Sequence, residues 1–346
     1  RNNKANIYIK AEKKKVNVFS GIMGFMTDNT SSKFILTGDL NLRLYNTFKY
    51  GELLGVNWYK TNIYSQEIKT VVGIPYLFNT QIGVENKLNI LKKDTTYFTV
   101  NERFGIKYFL NYLNYFNAYY ENKVSKLINT NGLENVKVLP FYADIKSIYY
   151  GIELYKELFD YRNNPLKGYS ILLNFSLGVK QIIRNAKINQ IVYDSIALKS
   201  MQYRVIEETS VFIPLGGRNT IGLFNKSAVI TGNRLFTNEL FRIGGLKTLR
   251  GFDEEIFYAS KYSIFTLEYR YLFGENSYIQ AFCDVAYYEA NILNNYIKDT
   301  PCGIGTGLTF ETKAGLFSFF YALGTNRNNS FSIKSGKIHF GIVETF

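Results

Sequence analysis

Arg250-Gly251-Phe252 forms the tip of a long polar stretch, 232–260, and Phe282 and Asp284 follow on the second strand segment after it. An arginine that leaves water needs a carboxylate, because an unpaired buried charge is strongly disfavoured. Asp284 is one candidate partner. Glu268, in Leu267-Glu268-Tyr269-Arg270, is a second. Two carboxylates side by side repel unless a cation joins them, and a guanidinium can do so through its fork of donors. This is the chemistry of a fastening. No nucleophile or general base accompanies the carboxylates, so the chain is not expected to be an enzyme. Metal-ligand clusters and phosphate-binding loops are absent from the sequence, and no metal or cofactor is expected. The two cysteines, Cys283 and Cys302, are too few for a disulfide framework. They fall on segments that read as neighbouring strands, which leaves a bridge between them open.

The elements that must hold these groups are strands. In 33–45, Phe34, Leu36, Leu40, Leu42 and Leu44 share one face, and Lys33, Thr37, Asp39, Asn41 and Arg43 the other. In 168–180, Tyr169, Ile171, Leu173, Phe175, Leu177 and Val179 oppose Ser170, Asn174, Ser176 and Lys180. Period two with a fully apolar face is what a lipid-facing strand requires. Aromatics make up 17% of the 346 residues, with 29 Tyr and 28 Phe, while mean hydropathy stays at −0.12. Membrane barrels combine these two properties because aromatic girdles sit at both interfaces. No apolar run is long enough for a membrane helix. Arg1 reads as an internal or processed start, with no signal peptide ahead of the strands.

Strands are expected at 16–26, 33–45, 49–60, 64–74, 79–92, 95–109, 112–122, 144–157, 168–182, 192–209, 217–231, 261–273, 276–288, 302–312, 315–324 and 336–346. That is an all-β, transmembrane, antiparallel β-barrel of about 16 strands, with a long extracellular loop folded into the lumen. The barrel spans 16–346, the lid loop 232–260, and residues 1–15 are a linker or an extra strand. Alternation points Thr266, Glu268 and Arg270 inward with Phe282, Asp284, Ala286 and Tyr288. Phe265, Leu267, Tyr269 and Tyr271 point to lipid. Gly303, Gly305 and Gly307 fall on one face of the next strand, and missing side chains there leave room for the loop. The one histidine, His339, reads as a lumen-facing polar residue.

Taken in order, these residues resemble the superfamily of outer-membrane assembly and translocation barrels, which includes BamA, TamA and the transporters of two-partner secretion. Arg250-Gly251-Phe252, with Gly244-Gly245 before it, matches the lid-loop signature. Phe282 and Asp284 match a Phe-x-Asp-x-Gly strand, except that Ala286 replaces the glycine. Glu268 fits the family's glutamate between the motifs. The resemblance is detailed over 232–346 and a matter of pattern elsewhere. It implies that Arg250, Gly251, Phe252, Glu268, Phe282 and Asp284 form a lid-loop lock. The last strand, with Ile338, Phe340, Ile342 and Phe346 on one face and Gly341 within it, resembles the insertion signal of such barrels. Its pairing with the first strand is the seam. Gly341 either weakens and kinks that strand or accommodates local curvature.

The expected function is outer-membrane protein insertion or translocation of the BamA type, working through a weak seam in a Gram-negative outer membrane. The partners are outer-membrane lipids, client outer-membrane or secreted proteins, and periplasmic or lipoprotein accessory subunits. Two alternatives stay open: a two-partner-secretion export pore, and an anchor barrel for a passenger domain outside this chain. Assembly barrels normally carry POTRA domains ahead of the barrel. Either these lie outside this sequence or the barrel works with separate partners. The net charge of +13 is spread along the chain and suits lipid headgroups, so nucleic acid is not an expected partner.

Overall fold

The computed structural model describes residues 16–27, 34–60, 62, 64–162, 164–194, 196–293, 295–312 and 315–345. Residues 1–15 and Phe346, to which the sequence assigns a linker or strand and a seam residue, lie outside the described residues. In chain order the strands are β1 (Val18–Thr27), β2 (Phe34–Tyr45), β3 (Leu53–Lys60), β4 (Gln66–Ile74), β5 (Ile82–Lys93), β6 (Tyr97–Phe109), β7 (Tyr115–Leu127), β8 (Ile145–Phe159), β9 (Gly168–Ile182), β10 (Lys199–Gly216), β11 (Asn219–Gly232), β12 (Phe241–Ile243), β13 (Phe257–Ala259), β14 (Lys261–Leu272), β15 (Tyr278–Ile292), β16 (Asn295–Asp299), β17 (Cys302–Thr312), β18 (Gly315–Thr325) and β19 (Lys337–Thr345).

Sixteen of these strands make the wall, each antiparallel to its neighbours, and β19 pairs with β1 to close it. Strand β16 prolongs the hairpin of β15 and β17 beyond the wall. The pair β12–β13 is a separate hairpin inside the lid segment. Closure gives every wall strand a partner on both sides.

The period-two faces divide as the sequence predicts. On β14, Phe265, Leu267, Tyr269 and Tyr271 are 43–47% exposed, whereas Ile264, Thr266 and Glu268 are buried. On β15, Phe282, Asp284, Ala286 and Tyr288 are buried, with Ile279, Val285 and Tyr287 outward. A ring of half-exposed aromatic and aliphatic side chains is far larger than a water-facing surface tolerates. It is the lipid-facing band of a transmembrane barrel. The interior holds the charged and amide residues instead. Glu121, for example, is fully buried between Arg103 and Arg204, at 2.7 and 2.9 Å.

Several boundaries differ from the sequence reading. The expected strand 192–209 starts late, because Gln190–Tyr193 form a short 3-10 turn whose Val192 and Tyr193 are buried. Those two residues join Leu139, Ile145, Ile188 and Phe236 in an apolar cluster that ties loops 128–144 and 183–198 to the lid segment. The strand then runs on to Gly216 through Val211-Phe212-Ile213-Pro214-Leu215, a run without alternation. Strand β3 begins at Leu53 because the Glu52 carboxylate accepts the amides of Phe48 and Tyr50 and folds 46–52 into a turn.

Candidate functional site: the lid and its anchors

The segment between β11 and β14 enters the barrel from the end that carries the long loops 128–144 and 183–198. Its geometry depends on two glycines. Gly244 and Gly245 have φ of +120° and +92°, a region closed to most side chains. They reverse the chain after β12, and Thr248 Oγ1 closes the turn by donating to the Gly244 carbonyl at 2.9 Å. The reversal projects Arg250-Gly251-Phe252 against β15, β17 and β18.

The structure brings the sequence-assigned group together. Arg250 donates from Nε to Asp284 Oδ2 at 2.8 Å and from Nη2 to Asp284 Oδ1 at 2.6 Å. Its Nη1 donates to Glu268 Oε2 at 3.0 Å, and its backbone N–H also reaches Asp284 Oδ2 at 3.0 Å. Thr266 Oγ1 gives Asp284 a further bond at 2.8 Å. The guanidinium lies 3.4 Å from the centroid of the Phe282 ring, in cation–π range. Arg270 neutralises the other oxygen of Glu268 at 2.6 Å. Asp284 is 0% exposed and Glu268 4%. Burial works against the Arg250 charge, but the bonds and charge of Asp284, then of Glu268, outweigh it and hold its pKa above the ordinary value. Phe252 packs with Leu249, Phe257, Ala286 and Tyr288.

The glycine faces make the close approach possible. A Cβ on Gly303 would lie 2.0 Å from the Arg250 carbonyl oxygen. Its cross-strand partner Gly324 is equally tight, with a Cβ 2.5 Å from the Gly251 oxygen and 2.9 Å from the Phe252 ring. Gly305 and Gly307 answer to other neighbours: the Phe282 ring and the Phe320 ring. Gly303→Ala is therefore expected to push the tip off the wall while leaving the outer face unchanged. Single-channel recording in a planar bilayer should show an unstable, enlarged conductance relative to the parent.

Beyond the lock, the lid is fastened around much of the wall by residues the sequence does not single out. Asn238 donates to Ser125 Oγ on β7 at 2.8 Å. Glu239 meets Lys180 on β9 at 3.0 Å and Gln202 on β10 at 2.6 Å. Arg242 pairs with Glu255 within the lid at 2.7 Å and reaches Glu67 on β4 at 3.4 Å. Lys247 pairs with Asp39 on β2, and Tyr59 of β3 donates to Glu254. Asp253 pairs with Lys337 at 2.5 Å on β19. Each partner is an inward polar residue, which is all that alternation announces about it.

Glu254 is the electrostatically uneasy member of this set. Burial raises its pKa, and the bonds from Tyr59 and from the Leu246 N–H at 3.0 Å only partly oppose that. An acid whose pKa is higher docked than free contributes most below its free pKa, and the contribution fades as pH rises through the docked value. Glu254→Gln should therefore slow protease cleavage of the lid at pH 7.5 relative to the parent and flatten its pH dependence.

No protein-family model and no curated protein sequence matches the chain. Solved structures do. BamA from Haemophilus ducreyi lacking POTRA domains 1–3 superposes with a TM-score of 0.63 at 14% identity, over 96% of this chain and 71% of that one. CdiB from Acinetobacter baumannii gives 0.60 at 13% identity, over 96% and 60%. CdiB from Escherichia coli gives 0.60 at 12% identity, over 97% and 64%. The fold is that of the BamA and CdiB barrels. The chain spans less than two thirds of either CdiB.

In this barrel the seam is paired. Among the described residues seven pairs join β1 to β19, from Val18↔Thr345 to Gly24↔His339, without a register break at Gly341. The sequence left a kink at Gly341 open, and the strand passes through it regularly. A Cβ there would find its nearest neighbour, Ile22 Cγ1, at 3.4 Å, so packing does not demand glycine. Ile338 and Phe340 face outward, 46% and 38% exposed, with Ile342 half-buried. His339 points into the lumen and is buried. It lines a small cleft with Ile22, Asp39, Tyr59, Lys247 and Glu254, between the seam strands and the lid. Cys283 and Cys302 are free thiols on adjacent strands.

Proposed function

We propose that this chain is the membrane barrel of an outer-membrane protein insertase or translocase of the BamA type, in which the first and last strands part to receive a client strand. The observation that carries the reading is a contrast around the wall. The lumen is filled by a lid fastened to β2, β3, β4, β7, β9, β10, β14, β15 and β19. Among the described residues the seam beside it is held by seven residue pairs, as few as β18–β19 and about half the fifteen between β8 and β9. A plugged lumen does not suit free diffusion. The seam strands are the first and last of the chain, joined by no hairpin turn, so they can part without breaking a turn, and the exposed edges can pair with an incoming strand by β-augmentation. Opening needs no bond-making chemistry.

The ion pairs Lys247–Asp39 and Asp253–Lys337 place the lid on both sides of the seam. Lid docking and seam closure are thereby linked, and Arg250 holds the lid to β14 and β15.

The second reading is polypeptide export through the lumen, favoured by the CdiB likeness in fold. Depletion of the protein in its native cell separates the two. Loss of many outer-membrane barrels supports insertion. Loss of one secreted protein, with barrels unchanged, supports export and overturns the primary reading.

A further inference from the structure

We infer that the barrel sits unevenly in the membrane, with the turns after β2, β4 and β6 embedded in the lipid headgroup layer on the side where both described chain ends lie. Six side chains carry this: Phe48, Tyr50, Tyr76, Phe78, Leu110 and Tyr112, with Phe78 94% exposed, Tyr112 81% and Tyr50 78%. They occupy the tips of three successive turns at that end. The corresponding turns on the opposite half are polar at their tips, with Leu215 (54% exposed) and Phe273 (42%) where they leave the wall. Asp160, Arg162 and Lys167 follow β8, Gly216-Gly217-Arg218 join β10 to β11, and Gly274-Glu275-Asn276 follow β14.

The rings are held out by ordered backbone. Glu52 accepts the amides of Phe48 and Tyr50, and Asn46 Oδ1 accepts that of Gly51 at 2.9 Å. Tyr76, Phe78 and Asn79 all have positive φ, between 52° and 60°. That conformation is unfavourable for aromatic residues, and here it directs Phe78 away from the protein. Asn111 Oδ1 accepts from the amides of Leu113 and Asn114 and fixes the third turn. Rigid turns that present large rings to water would be costly. The same rings in the interfacial layer are stable, because aromatic side chains prefer that depth.

Strand length bears on two of these turns, those that adjoin β3 and β4. β3 has 8 residues and β4 has 9, while β8 and β9 have 15 each and β10 has 18. At about 3.3 Å per residue and a tilt near 40°, β3 rises roughly 20 Å along the membrane normal and β10 roughly 45 Å. The apolar band of such a barrel is about 25 Å tall, so the tips next to β3 and β4 fall within the interface and those next to β10 stand clear in water. The patch is continuous with the lipid-facing wall through Val72, Ile82, Tyr108 and Phe116, each 43–51% exposed.

The test places one tryptophan in each half. The chain's single tryptophan, Trp58, is replaced by phenylalanine. Phe78→Trp and Tyr112→Trp are compared with Arg162→Trp in phosphatidylethanolamine–phosphatidylglycerol vesicles. Fluorescence is quenched by lipids brominated near the headgroup, or by aqueous iodide. The expected result is strong quenching by the brominated lipid at 78 and 112, with iodide quenching several-fold weaker than at 162. Tyr112→Trp gives the same reading if Phe78→Trp does not insert. Iodide quenching at 78 and 112 equal to that at 162 overturns the inference. So does protection from iodide without quenching by lipid, which would mean that another protein surface covers the turns.

Discussion

Arg250→Ala is expected to release the lid and destabilise the docked state by about 3–5 kcal/mol, the usual cost of removing one partner from a buried ion pair. The cause is what remains. Asp284 and Glu268 would stand buried on adjacent strands without the guanidinium that joins them. Thr266 still donates to Asp284 and Arg270 still balances Glu268, at 2.8 and 2.6 Å, so the wall should hold while the lid leaves. Arg250→Lys should rescue little. An ammonium cannot supply Nε and Nη2 to Asp284 and Nη1 to Glu268 together. Asp284→Ala should resemble Arg250→Ala, and the double variant should cost much less than the sum, because both changes break one interaction. Urea titration with a fluorophore on the lid measures the stability, and planar-bilayer conductance shows the opened lumen. An unchanged midpoint with a closed pore would remove the lock from the account.

A covalent staple across the seam is expected to abolish function reversibly. Met23 and Phe340 face each other directly between β1 and β19. Cysteines at these positions, in a Cys283→Ser, Cys302→Ser background, should form a disulfide without strand movement. Cells relying on this variant should fail under oxidising conditions and recover with reductant, with a loss as large as that on depletion. Full activity with a quantitatively formed bond would exclude separation of the seam and leave passage through the lumen or anchoring. Released by Arg250→Ala, the lid no longer holds β14 and β15, so the unstapled seam should also crosslink to client strands more readily than in the parent.

Period two made the barrel readable because a closed sheet between lipid and a polar lumen enforces one rule on every strand. The lock was readable for a different reason. Arginine and aspartate at a glycine-rich turn and on an inward face have few ways to be buried, and Arg250, Glu268 and Asp284 meet as that argument requires. Gly303 was legible for the same reason, but Gly324 was not, since only the register of β17 with β18 places it opposite. The outer anchors Lys247–Asp39 and Glu254–Tyr59 join residues far apart in the chain, and no local spacing rule brings them together. Strand ends failed where alternation lapsed, as at 210–216, or where a side chain folded the turn, as Glu52 does. The aromatic turn tips were visible only as composition until the fold gathered them at one end of the barrel.

The most direct test of the central claim is insertion itself. The protein is reconstituted into liposomes, an unfolded outer-membrane barrel is added, and membrane-protected folded client is followed with time. The account predicts insertion several-fold faster than in empty liposomes, abolished by the oxidised Met23–Phe340 cysteine staple and restored by reductant. Insertion at the rate of empty liposomes, or acceleration that persists with the seam closed, would contradict it.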